Sequence, residues 1–221
     1  MPQKISKRCI LLGVIACLRA FPAWAEVGGP PEAFVTVSIH NHAGVPANTL
    51  AEAERTASSI FKQAGVNIDW SNCDLPAEAR QIASSCHVTE FPRHLQLSIA
   101  RRSKNLTESV LGVSFLGEDG SGWCSDVFFE RVEELHKHVN LNLGPLLGDV
   151  VAHEIAHLLL GRNAHSGSGI MRPHWDERDL INASKGQLLF TRAQGQTMRE
   201  KVAASLYSKK GVVVTVESHR D

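Results

Sequence analysis

His153, Glu154 and His157 stand in the stretch Val151-Ala-His-Glu-Ile-Ala-His-Leu-Leu-Leu-Gly161, and His165 and Gly169-Ile-Met171 follow closely. Histidines four apart lie one turn apart on the same face of a helix, so both imidazoles can point at one metal ion. Glu154 comes directly after the first of them. There it can sit beside a metal without binding it and take a proton from a metal-bound water. His165, beyond the turn at Gly161, is a candidate third ligand. Ile155 and the leucines make the rest of the helix apolar, as a helix buried in a core would be. A metal ion held by three such ligands would keep a position open for water. The competing reading is two histidines satisfied in a core beside an incidental glutamate. The apolar helix, the third histidine and the Gly-Met turn weigh against it. His40 and His42, two apart after a strand, read as surface histidines rather than ligands.

The elements that must position these residues are legible in outline. Phe34–Ile39 alternates and is β-branched, so a strand. Pro46–Ala64 reads as a helix, with Asn48 or Thr49 as its cap, Glu52 in its first turn, and Gly65 at its end. Val66–Trp70 and His94–Ala100 are further strands. Val110–Leu116 is a fourth, with Gly112 inside it. Asp126–Phe129 is a fifth, running into a short helix through Arg131, Val132 and Leu135. Gly144-Pro145 breaks the chain, and Leu146 starts the motif helix. Thr191 can cap a last amphipathic helix, Ala193–Tyr207. Val212–Val216 is a strand or a tail. This order predicts an α+β fold, a mixed five-stranded sheet with helices against it.

The chain has 221 residues, 43% hydrophobic and 21% charged, which suits one globular domain. Its beginning has the form of a secretory signal. Lys4, Lys7 and Arg8 precede the apolar run Cys9–Leu18, and Ala23-Trp24-Ala25 supplies small residues for cleavage after Ala25. Val14-Ile15-Ala16-Cys17 loosely resembles a lipoprotein box, but is less well placed than Ala-Trp-Ala. The run is too short to span a bilayer. Residues 1–25 hold four basic residues and no acid, so the remainder has 19 basic against 23 acidic residues, a net of −4. That argues against nucleic acid as a partner. Domain organisation is therefore expected as a signal at 1–25 and a single domain at 26–221, with an upper lobe about 34–161 and a lower lobe about 162–221. Glu26–Glu32 is a loose arm. Export, to a periplasm or outside the cell, favours a disulfide between Cys73 and Cys86 around a short helical piece, Ala77–Ile82. Cys124 is left as a buried small apolar side chain.

His153-Glu154-x-x-His157, Gly161, His165 and Met171 together resemble the metzincin clan of zinc metallopeptidases. The resemblance spans roughly residues 34 to 206, although only 153–171 carries specific motifs. It implies a zincin-like fold with a small C-terminal helical lobe, and a Zn2+ ion held by His153, His157 and His165. It also implies Glu154 as catalytic base, Met171 in a turn beneath the metal, and peptide substrates lying along an edge strand near Val110–Leu116. The spacing departs from the clan. Three leucines precede Gly161, and Asn163, a poor zinc ligand, occupies the clan's third-ligand position. Glu177, twenty residues after His157, is the rival third ligand, but Pro173 intervenes and no clear helix surrounds it. His174 and Asp176 are weaker rivals. The expected activity is that of an exported, monomeric endopeptidase acting on peptides or proteins. The alternative is a zincin-like scaffold that binds zinc or a partner without turnover.

Overall fold

The computed structural model describes residues 33–74, 86, 90–102 and 110–210, with side chains to residue 205. The expected signal, the arm at 26–32, the helical piece Ala77–Ile82 and the segment Val212–Val216 lie outside the described residues.

Among the described residues five strands form one sheet. They are β1 (Ala33–His40), β2 (Val66–Asn72), β3 (His94–Ala100), β4 (Gly112–Phe115) and β5 (Cys124–Phe128), in the order β2-β1-β3-β5-β4. β1 pairs parallel with β2 and β3, and β3 pairs parallel with β5. β4 alone is antiparallel, on the edge beside β5. The fold is thus α+β on a mixed five-stranded sheet, as the order of elements predicts. The fourth and fifth strands differ at their ends from the sequence reading. Val110 and Leu111 lie outside β4, β5 begins at Cys124, and Phe129 opens the next helix.

Helix α1 (Ala47–Gln63) buries Leu50, Ala53, Ala57, Ile60 and Phe61, a spacing of three and four that makes one apolar stripe. Its N-cap is Pro46, without a side-chain hydrogen bond. Asn48 and Thr49 are not its cap, because the helix begins before them. At its other end Gly65 adopts φ +77°, and a Cβ there would lie 2.7 Å from Arg199 Cδ. Arg199 Nη1 donates to the Ala64 carbonyl at 2.5 Å, tying this end to the last helix.

α2 (Phe129–Val139) leads to the central helix α3 (Leu143–Leu160). Gly144-Pro145 does not break the chain before α3. Pro145 sits in the first turn, where no intrahelical partner awaits its missing N–H. Gly144 and Gly148 face α1 so closely that a Cβ would lie 2.4 Å from Glu52 Oε2 and 2.6 Å from the Ala53 carbonyl, respectively. Gly144 leaves room for the Glu52 side chain, and Gly148 lets α3 come up against the backbone of α1. By length and composition α3 could cross a membrane, yet 72% of it is buried in the protein. It is a core helix packed by α1, α2, β4, β5 and α5.

α4 (Glu177–Ser184) is a helix where none was expected. Asp176 and Asp179 form a reciprocal capping box at its start, and Ala183 is buried. α5 (Arg192–Lys210) starts with a second box. Gln194 N donates to Thr191 Oγ1 at 3.3 Å, and Thr191 N donates to Gln194 Oε1 at 2.9 Å. Cys73 and Cys86 form the expected disulfide, with Cα atoms 5.7 Å apart. Cys124 is a free thiol, half-buried rather than buried.

Candidate metal centre

His153 and His157 leave α3 one turn apart, and their Nε2 atoms lie 3.1 Å from each other. Two nitrogens bound tetrahedrally to one zinc at 2.0–2.1 Å would be roughly 3.3 Å apart, so the helix alone sets two donors at ligand spacing. The ligand atoms of His153, His157 and His165 all lie within 4.8 Å of one another. The longer separations involve His165, which is exposed. Among the described residues no other group of three potential ligands converges in this way. Glu177, His174 and Asp176 are not part of the cluster. Glu177 is instead the first residue of α4, and Asp176 is its N-cap.

The turn that brings His165 back is built from residues with unusual backbone freedom. Gly161 ends α3 at φ +80°, and a Cβ there would lie 2.9 Å from the Gly120 carbonyl. Asn163 is left-handed at φ 59°, a conformation Asn tolerates. It shapes the turn instead of filling a ligand position. Gln194 of α5 then holds the segment, donating through Nε2 to the Ala164 carbonyl at 3.2 Å and to Ser166 Oγ at 3.1 Å. Ser166 N donates to the Met171 carbonyl at 2.9 Å. Met171 is fully buried. Just before it, Ile170 N donates to the Leu189 carbonyl at 3.0 Å.

His153 Nδ1 lies 2.7 Å from the Ile170 carbonyl. A carbonyl only accepts, so Nδ1 carries the proton and Nε2 keeps its lone pair for a metal. Burial depresses His153 to about 4, the Ile170 bond opposes the shift, and His165 adds to it. Burial depresses His157 to about 3, with His153 and His165 adding to the fall. His165 is lowered by burial and then by His174. All three rings are therefore held neutral, the state that binds metal.

Glu154 is 5% exposed. Ser114 Oγ on β4 lies 2.8 Å from its backbone carbonyl and 2.9 Å from its Oε2, clamping helix and side chain to the edge strand. Burial pushes the carboxyl up to about 7, and the Ser114 bond offsets only part of that rise. A cation at the histidines would draw it back down. Gly112 makes room for this acid, since a Cβ there would meet Glu154 Cγ at 2.6 Å. Neither Ser114 nor Gln194 is conspicuous in the sequence. Gly112 is, because a glycine inside a strand often marks a close approach.

The chain matches no protein-family profile and no curated protein. Among solved structures it is similar to an archaemetzincin from Methanopyrus kandleri, at 14% identity, covering 79% of this chain and 98% of that one, with a TM-score of 0.47.

Proposed function

We propose that this chain is an exported zinc-dependent endopeptidase. The observation that carries the reading is the convergence of His153, His157 and His165 within 4.8 Å, beside the buried, Ser114-clamped Glu154. Neutral imidazoles at this spacing fit Zn2+, and all three donors come from one chain. Zinc bound there would supply a Lewis acid that acidifies its water and polarises a substrate carbonyl. Glu154 is the general base. Ser114 engages Oε2, so Oε1 is the oxygen available to accept a proton and later return it to the leaving amine. Among the described residues β4 pairs with β5 on one side only, so its outer backbone groups can receive an extended peptide by strand addition. Export is supported by the basic-apolar-Ala-Trp-Ala pattern of residues 1–25 and agrees with the Cys73–Cys86 disulfide.

Zinc content and cleavage of a mixed peptide library test the assignment together. Glu154→Gln should keep its zinc and lose hydrolysis by roughly 10²-fold or more. His165→Ala should lose zinc while Glu177→Ala keeps it, and the reverse pattern would move the third ligand to Glu177. A wild-type protein that holds zinc and cleaves nothing would be a zinc-binding scaffold instead, a role for which Glu154 has no use.

A further inference from the structure

We propose that Trp175 is a positioning residue for His153, acting through the Ile170 carbonyl. The inference rests on the reading of His153 as a ligand. The Ile170 oxygen accepts from His153 Nδ1 at 2.7 Å and from Trp175 Nε1 at 3.0 Å. A carbonyl oxygen offers two lone pairs, and here both are engaged. The indole nitrogen can only donate, so it joins His153 Nδ1 as a second donor to the carbonyl and cannot replace that carbonyl as the acceptor of the His153 proton. The indole also stands edge-on to the imidazole, with ring centroids 6.0 Å apart and planes at 78°. One side chain thus directs the acceptor that sets the tautomer and flanks the ring that acceptor holds. Partners of this kind, one bond removed from the metal, fix a ligand's orientation and its basicity.

Trp175 is itself held. It directly precedes Asp176, the N-cap of α4, and Arg172 reaches over the intervening residues. Arg172 Nη1 donates to Asp176 Oδ2 at 2.5 Å and to Asp179 Oδ2 at 2.9 Å. Asp179 is buried, and its carboxylate also accepts from Asp176 N at 3.1 Å. The backbone on the other side is pinned where Arg172 N donates to the Gly169 carbonyl at 3.1 Å. The clasp fixes residues 172–179, and with them the indole. Helix α4 therefore serves the metal centre although it supplies no donor to it.

Trp175→Phe removes the N–H and keeps an aromatic ring; Trp175→Gln removes the ring and keeps a donor. The Trp175→Phe protein is expected to bind zinc roughly tenfold more weakly than wild type, and Trp175→Gln to recover part of that loss. In the metal-free proteins, imidazole 15N shifts should show His153 as a single Nδ1–H tautomer in wild type and as a mixture in Trp175→Phe. A merely structural tryptophan would alter melting without altering the tautomer. Arg172→Gln, which opens the clasp outside the core, should move both readouts the same way by a smaller amount, and decides the matter if Trp175→Phe does not fold. Zinc affinity within about twofold of wild type and an unchanged tautomer in whichever variant folds would overturn the proposal. The tautomer is read without metal, so a wild-type protein that bound no zinc would sink the peptidase reading and still leave Trp175's hold on His153 measurable.

Discussion

Two buried carboxyls on α3 show how much a single partner matters. Glu154 is 5% exposed and Asp149 2%. Glu154 has the Ser114 hydroxyl, whereas Asp149 Oδ2 has no hydrogen-bond partner among the described residues. Burial alone pushes Asp149 up from 3.8 to about 8. The folded protein therefore keeps a proton that the unfolded chain releases over this range. Asp149's contribution to stability is full below about pH 3.8 and is lost as pH rises towards 8. Asp149→Asn keeps the shape and removes the charge. It should be more stable than wild type at pH 8, on the order of a few kcal/mol, with the gap closing towards pH 4. Urea unfolding of the metal-free proteins across that range measures it. Equal stabilities at pH 8 would mean that the charge is met by water in the adjoining cavity of about 160 Å³, which Asn140, Asn142 and Ser184 help to line.

At the scale of elements, the site depends on how closely an edge strand can approach a helix. β4 has only four residues, and it brings Ser114 onto Glu154 because Gly112 has no side chain. In Gly112→Ala the new methyl would lie 2.6 Å from Glu154 Cγ and 2.8 Å from the Asp126 carbonyl. The carboxylate can turn away, but the backbone carbonyl cannot. The variant is expected to lose about 1–3 kcal/mol of stability. Its hydrolytic activity should fall further than that loss explains, because the displaced atoms belong to the proposed base. Turnover equal to wild type, measured on folded variant, would show that the Gly112 approach is irrelevant to Glu154. α4 is a lesson at the same scale. Its start is marked only by Asp176 and Asp179, short of the serine or threonine and glutamate that usually announce a capping box, and Pro173 just upstream suggests a loop.

Across the whole molecule, stabilising and functional features lie at opposite edges of one sheet. The disulfide follows β2, and the proposed substrate strand is β4. Cys73 and Cys86 are 13 residues apart, a loop whose closure is worth roughly 3 kcal/mol by chain entropy. The Cys73→Ala/Cys86→Ala double variant should unfold at correspondingly lower denaturant, while zinc bound per folded molecule stays the same. Loss of zinc from the folded double variant would show that the two edges are coupled.

Several of these features follow from local rules. Histidines four apart share a helix face wherever the helix lies, so His153, His157 and the position of Glu154 are readable without a fold. Alternating β-branched runs mark β1 and β3, and short cysteine spacing in a chain with a signal-like start marks the disulfide. The start of α3 is masked in the sequence because Pro145 looks like a break, whereas a first turn has no use for the missing N–H. Other features required the tertiary structure. The placement of His165 beside the two helix histidines depends on Gly161, on left-handed Asn163 and on Gln194 reaching across from α5. The clamp on Glu154 comes from Ser114, forty residues away in sequence. The tautomer of His153 is set by a backbone carbonyl, which no side-chain pattern encodes. Local periodicity determines which faces carry the chemistry. Which distant groups meet those faces is decided by close packing, because contacts between residues far apart in sequence leave no periodic trace in it.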